Sequence, residues 1–364
     1  MAVFINNHTT NKNGNGFYIL DLIKTLNLNS AKIISLSCQN KNSKIFTLFN
    51  KKKASTLKGK ILEIFLMYYL ILKNINHLKN QKIIFTSDPP MIGLILIILK
   101  KCFKCEVIFW CQDIFPNTLI ISNIFNENSF LIFILKKINQ YIYKNVDIIV
   151  TISASMKNTL MNDYGINKKK IKIFQNWNSL KEKKLKITKK SKINIFYNGN
   201  IGMSHDQNFA LNFLNKIKNN DLKIKIYTNS DHVSREMIKN YLVKGFLSEK
   251  KLLRCILKSD FQMIFSKSSA LTSIYPSKIY NFLFYKKPIL YFNQRDNDEI
   301  SKMIKKYNIG ISINNRNEKK IISLFSNTNK IRQILKIFKK NYKKFNFNKI
   351  TNSRSKESWK KLIC

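Results

Sequence analysis

Ile193-Asn194-Ile195-Phe196-Tyr197-Asn198-Gly199-Asn200-Ile201-Gly202 decides the fold. An apolar run of strand length ends in a turn carrying two glycines. A segment of helical period then begins near Asp206 and runs to Lys218. The run opens directly after Leu180–Lys192, which is dense in lysine, poor in apolar residues and reads as a linker. A strand, a glycine turn and a helix restarting after a linker announce a second α/β unit. Toward the C-terminus the pattern predicts strands at 222–228, 261–265, 288–292 and 309–313. Helices are expected at 206–218, 234–241, 248–258, 277–285 and 297–306. Toward the N-terminus it predicts strands at 3–5, 32–37, 43–49, 82–86, 106–110, 147–152 and 170–175, with helices at 17–26, 60–73, 91–101, 130–143 and 154–164. Strands alternating with helices imply parallel sheets covered on both faces. The expected fold class is α/β, with two doubly wound Rossmann-like domains, 1–180 and 193–328, joined by a linker over 181–192. A helical segment over 329–364 follows and can pack back on the first domain. A ligand cleft is expected between the carboxyl ends of the two sets of strands.

The chain has 364 residues and a formal net charge of +45, from 65 Lys plus Arg against 20 Asp plus Glu. Hydrophobic residues make up 45%, which excludes disorder as the main state. Only six of the basic residues are Arg, and they are scattered. Lys, Asn and Ile, all with AT-rich codons, are abundant, so much of the charge reads as compositional drift over solvated faces. Nucleic-acid sites favour clustered Arg for bidentate and stacked contacts, and no such cluster is present in the sequence. No specific nucleic-acid partner is therefore expected, although the surplus still attracts polyanions such as an anionic membrane surface. The six cysteines are dispersed, and the lone Cys102-x-x-Cys105 lacks the second pair or nearby His of a zinc site. No apolar run approaches the ~18–20 residues that span a bilayer, so a cytoplasmic protein, peripheral on the inner face of the membrane, is expected. Lys51, Lys52, Lys53, Lys58 and Lys60 precede the apolar, aromatic stretch Ile61–Leu72. That pairing suits either docking on anionic lipid or a core helix with a solvated lysine loop.

With Gly and Pro scarce, the remaining ones act as signposts. Gly14 and Gly16 follow the first strand, and Gly199, Asn200 and Gly202 follow the first strand of the second domain. Such turns let backbone N–H groups approach a phosphate or a sugar. His8 and His205 lie beside the two turns. Tyr275-Pro276-Ser277-Lys278-Ile279-Tyr280-Asn281 opens a helix with a lysine in its first turn, against the helix dipole. A local rule is broken most readily at a functional site, and an ammonium beside a hydroxyl and free N–H groups suits a diphosphate. Thr86–Pro90 and Trp110–Pro116 place polar residues at strand ends, with Gln112 and the acidic Asp113 toward the cleft.

In this order the motifs resemble family-4 glycosyltransferases of the GT-B fold, in particular those that build bacterial surface polysaccharides (the colanic-acid and amino-fucose type). Thr86–Pro90, Phe109–Pro116, Ile152–Met156, Gln175–Trp177, Gly199–Gly202, Gly245–Phe261 and Pro276–Pro288 carry the resemblance, which spans about residues 3–325. It implies glycosyl transfer with retention from a UDP- or GDP-linked sugar to a lipid-linked, lipopolysaccharide or capsule acceptor. The nucleotide sugar is substrate, and neither a further cofactor nor a metal is implied. Gly199, Asn200 and Gly202 would lie near the donor phosphates, Ser277 and Lys278 at the diphosphate, and Asn281 at the ribose; His205 is a substrate-contact candidate from its place beside the second turn alone. Asp113 and Lys278 become the catalytic candidates, with Gly14, Gly16 and Gln112 toward the substrate. The chain departs from the family pattern at Asn281 and Ser273, where the family carries two Glu, and at Gln112, where many members have His. A sugar-nucleotide epimerase of similar fold is the competing enzyme reading, and a basic nucleic-acid-binding protein the competing reading from another class.

Overall fold

The computed structural model describes residues 2–10, 14–38, 44–47, 54, 56–180, 192–202, 204–217, 219–228, 241–245, 247–345 and 353–364. Its first half contains β1 (Ala2–Ile5), β2 (His8–Thr9), β3 (Lys32–Ser35), β4 (Ser37–Cys38), β5 (Lys44–Thr47), β6 (Lys82–Thr86), β7 (Glu106–Cys111), β8 (Ile148–Thr151) and β9 (Ile171–Ile173). Between them run α1 (Gly14–Thr25), α2 (Leu57–Lys73), α3 (Gly93–Cys102), α4 (Asn117–Ile121), α5 (Phe130–Asn145) and α6 (Ala154–Asn162). The second half contains β10 (Ile193–Asn198), β11 (Leu222–Tyr227), β12 (Leu242–Lys244), β13 (Phe261–Phe265), β14 (Ile289–Phe292) and β15 (Gly310–Ile313). Its helices are α7 (Gln207–Lys216), α8 (Glu249–Lys258), α9 (Lys278–Phe284), α10 (Glu299–Tyr307), α11 (Glu318–Phe325), α12 (Thr328–Lys344) and α13 (Ser353–Ile363).

Seven strands form a parallel sheet in the order β5-β3-β1-β6-β7-β8-β9, and six form a second in the order β12-β11-β10-β13-β14-β15. In each, the order reverses beside the first strand of the half, which is the doubly wound arrangement and opens a crevice at the carboxyl ends. The strands read as near-continuous apolar runs because both faces are buried. In the first sheet Val3, Ile5, Ile83, Phe85, Val107 and Phe109 pack under α2, α3, α5 and α6. The alternate residues Phe4, Ile84, Ile108 and Trp110 pack under α1 and α13 on the other face. Side-chain caps start several helices. Ser153 accepts from the N–H of Met156, Asp206 from Phe209, and Asp298 from Ser301.

The last segment divides. Ile331, Leu335 and Phe338 of α12 join the core of the second sheet. Helix α13 crosses to the first, where Trp359 is fully buried against Trp110 and Phe174. Lys82 Nζ donates to the carbonyls of Leu362 and Ile363 at its end.

The structure starts α1 at Gly14, so Gly14 and Gly16 lie in the first helical turn rather than in a turn ahead of it. Helices α4 and α11 and strands β2 and β12 are not expected from the sequence. All four are short, and α11 carries two lysines within its eight residues. The expected helix at 234–240, most of the linker at 181–191, Lys51–Lys53 of the basic cluster and Asn13 of the first glycine stretch lie outside the described residues. Among the described residues no helix is long and apolar enough to cross a membrane.

Candidate active site

Strand β10 ends at the cleft, and its last aromatic residue, Tyr197, is fully buried there. The Tyr197 ring stacks on Phe265 at 4.2 Å, and its hydroxyl donates to the carbonyl of Asn200 at 2.9 Å. Above this ring lies Lys278, the first residue of α9, with its ammonium 4.0 Å from the ring centroid. A cation at that distance over an aromatic face is held by the ring quadrupole. Gly199 has φ +135°, and a Cβ placed on it would come within 2.8 Å of Lys278 Nζ. Glycine therefore serves both the backbone conformation and the space the amine occupies.

Burial strips the amine of hydration, which disfavours its charged form, and its pKa falls from 10.5 to about 7. His205 completes the turn, accepting on Nδ1 from the N–H of Gly202 at 3.1 Å. Burial, followed by the nearby Lys278 charge, lowers its pKa to about 3. His205 is thus neutral at physiological pH and, with Nδ1 accepting, carries its proton on Nε2. The group presents an under-hydrated cation beside a glycine turn, an arrangement suited to an anionic ligand.

The opposite wall is built from the ends of β1, β6 and β7. Ser87 Oγ accepts from the N–H of Asp113 at 3.1 Å, and Thr86 Oγ1 donates to Asn6 Oδ1 at 2.6 Å. Asp113 also forms an antiparallel bridge with Ile274 of the second half. Beside it, the N–H of Ile114 donates to the carbonyl of Ser273 at 2.9 Å, and Asn117 Nδ2 donates to Ser273 Oγ at 3.1 Å. Further along the cleft, Glu299 at the start of α10 accepts from the backbone N–H and the hydroxyl of Ser155 near the start of α6. The carboxyl ends of the two sheets therefore face one another and touch directly.

The expected residues fall into separate groups. Gly199, Gly202, His205 and Lys278 come together, with the Asn200 carbonyl tied in through Tyr197. Ser277 precedes α9 with helical backbone and makes no side-chain cap bond. Asn281, one turn along α9, is engaged elsewhere. Its Oδ1 accepts from the N–H groups of Ser179 at 2.8 Å and Leu180 at 3.3 Å, and its Nδ2 donates to Ser179 Oγ at 2.9 Å. Gln112 is buried in a reciprocal amide pair with Asn176, at 3.2 and 2.8 Å. Gly14 is exposed, whereas Gly16 is buried under the backbone of residues 8–10.

Three contributors escaped the sequence reading: Tyr197, Ser273 as a partner across the cleft, and Glu63. Glu63 is buried, with Oε2 accepting from Asn7 at 2.8 Å and Oε1 lying 3.1 Å from His8 Nε2. Despite burial, these hydrogen bonds and the one from the N–H of Ala54 leave its carboxyl below the usual carboxylate range. A lone acid inside an apolar helix was the available signal. Asp296-Asn297-Asp298 supplies the cap of α10 through Asp298. Among the described residues, no three His, Cys, Asp or Glu side chains gather as a cation site requires.

Comparison with family models and with curated proteins finds no match. Solved structures are similar over the whole chain. WaaG, a glycosyltransferase involved in lipopolysaccharide biosynthesis, superposes with a TM-score of 0.70 at 9% identity, over 100% of this chain and 99% of that one. HepE of Anabaena, solved in complex with UDP and glucose, gives 0.67 at 10% identity, over 99% of each chain. The lipopolysaccharide outer core galactosyltransferase WaaB gives 0.63 at 13% identity, over 98% of this chain and 97% of that one. The likeness establishes the fold, which is GT-B: two Rossmann-like domains facing a central cleft.

Proposed function

We propose that the protein is a family-4-type glycosyltransferase, moving a hexosyl group with retention from a UDP- or GDP-linked donor to a lipid-linked acceptor of lipopolysaccharide or capsule type. The observation that supports this reading most is the Lys278 ammonium, held over Tyr197 beside Gly199 at the mouth of the cleft. In the transfer, the bond from the anomeric carbon to the β-phosphate oxygen breaks. A bond to the acceptor oxygen forms, the acceptor hydroxyl loses its proton, and the nucleoside diphosphate leaves. Negative charge grows on the leaving phosphate, and a preorganised cation with turn amides stabilises that charge more than the ground state. Asp113, on the opposing wall, is the acidic group assigned to the acceptor side. The nucleotide sugar is substrate, and the reading calls on no resident cofactor. The site of action is the inner face of the cytoplasmic membrane, where a lipid-linked acceptor is presented. That the structural relatives include transferases of lipopolysaccharide synthesis and one holding UDP and glucose agrees with this choice.

The test is a panel of labelled UDP- and GDP-sugars incubated with and without a lipid extract. Label should enter the lipid fraction only when the extract is present. The Lys278→Ala variant should lower turnover by a factor on the order of 10²–10³, comparable to removing one preorganised donor from a charge-stabilising site. Conversion of the sugar nucleotide with no acceptor would instead select the epimerase reading. Unchanged kinetics in the variant would remove Lys278 from the mechanism.

A further inference from the structure

We propose that the outer face formed by α2, α3 and α5 is a docking surface for an anionic lipid bilayer. These three helices cover the same face of the first sheet, sharing one core through Met67, Leu96 and Ile142. Helix α3 sits close against α5, since a Cβ on Gly93 would meet Ile142. Twelve of the fifteen large apolar side chains found exposed among the described residues lie on these helices. In the second half of the chain Ile337 alone belongs to that set. The distribution is lopsided, and scattered surface apolar residues would not produce it.

The stripe on α2 has a helical period. Leu57, Ile61, Phe65, Tyr69 and Leu72 recur at spacings that keep them on one side, opposite the buried Glu63, Met67, Leu70 and Ile71. On α5, Phe130 is 76% and Phe133 56% exposed, opposite the buried Ile132, Asn139 and Tyr143. Neither pattern is needed for the core, which the opposite sides of both helices already fill.

Charge selects the occupant. The three helices carry eight lysines and one acidic residue, Glu63, which is buried; Lys100 pairs with Asp147 and Lys136 with Glu127 just outside the helices, and the remaining surplus is positive. Lys137 lies 5.5 Å from the Phe133 ring centroid, and Lys101 lies 6.0 Å from that of Tyr141. Rings that enter an interface while adjacent ammonium groups stay at headgroup level match an anionic bilayer. A second copy of this face would set lysines against lysines. The proposal stands on the surface alone and does not depend on the transfer chemistry. If the acceptor is lipid-linked, it also sets the bilayer beside the acceptor-side domain.

Flotation of the full chain tests it, using phosphatidylcholine vesicles with and without phosphatidylglycerol at low and high salt. The wild type should float only with the anionic vesicles and less well at high salt. The combined Phe65→Ser, Tyr69→Ser, Phe133→Ser variant removes only exposed rings, and its partition should fall at least about ten-fold. The Lys58→Gln, Lys73→Gln, Lys137→Gln variant should bind several-fold less and with a shallower salt dependence. Hydrogen exchange on the wild type gives a check free of mutation: peptides from α2 and α5 should gain protection with anionic vesicles. Wild type that stays unbound overturns the proposal. So does a ring variant that floats like the wild type, or exchange without protection in α2 and α5. A concentration-dependent dimer that the ring variant abolishes, with no lipid binding, would assign the face to a second copy instead.

Discussion

The two glycine stretches look equivalent in the sequence, one after the first strand of each sheet, yet the structure uses them differently. At Gly16, a Cβ would lie 2.5 Å from the backbone nitrogen of Thr10 and 2.8 Å from the carbonyls of His8 and Thr10. That glycine lets α1 press against the chain that follows β1. At Gly199 the nearest atom is the Lys278 amine, and φ is in the region that favours glycine. One glycine serves packing and the other makes room for a cation. Position relative to a strand does not decide what a glycine is for; what occupies the space of the missing side chain does.

Substitutions can separate the two. Gly199→Ala should have the larger functional effect, displacing the flexible amine and lowering donor turnover by about ten-fold or more. The strained backbone should cost roughly 1–3 kcal/mol of stability. Gly16→Ala should act through stability, with a loss of about 1–3 kcal/mol because its neighbours are backbone atoms that cannot step aside. Thermal unfolding and donor kinetics measured on both variants check the division. If Gly16→Ala lowered donor turnover with its melting temperature unchanged, the two turns would be equivalent after all. A smaller effect is expected for Tyr197→Leu. Losing the ring under the ammonium should weaken donor binding by roughly 0.5–2 kcal/mol, whereas Tyr197→Phe keeps the ring and should bind nearly as the wild type does.

The sheets were legible because strands buried on both faces leave apolar runs such as Ile193–Tyr197, and because turn residues punctuate them. Lys278 was legible because it stands against the helix dipole at a helix start. Tyr197 was not, since an aromatic residue closing a buried strand looks like core, and here the ring fills the core and holds the cation as well. The partners of Asn281 and Gln112 were hidden because they are distant in sequence. Asn281 binds a segment 101 to 102 residues away, and Gln112 binds Asn176. For the same reason, the apolar residues of α5 could be assigned to a helix but not divided between core and surface.

The central claim is that the Lys278 amine receives a diphosphate. With its pKa near 7 in the free protein, the amine is mostly charged below that pH and mostly neutral above it. A bound diphosphate favours the ammonium form, so binding should weaken as pH rises through about 7 and should take up a proton above it. Calorimetric titration of UDP and of GDP into the wild type and Lys278→Met, at pH values on either side of 7, tests this directly. The variant also controls for titration of the nucleotide itself. The account predicts that one of the two nucleotides binds the wild type more tightly at the lower pH, and that Lys278→Met loses both most of the affinity and the protein's share of the pH dependence. Equal affinity and an identical pH profile in wild type and variant would contradict it.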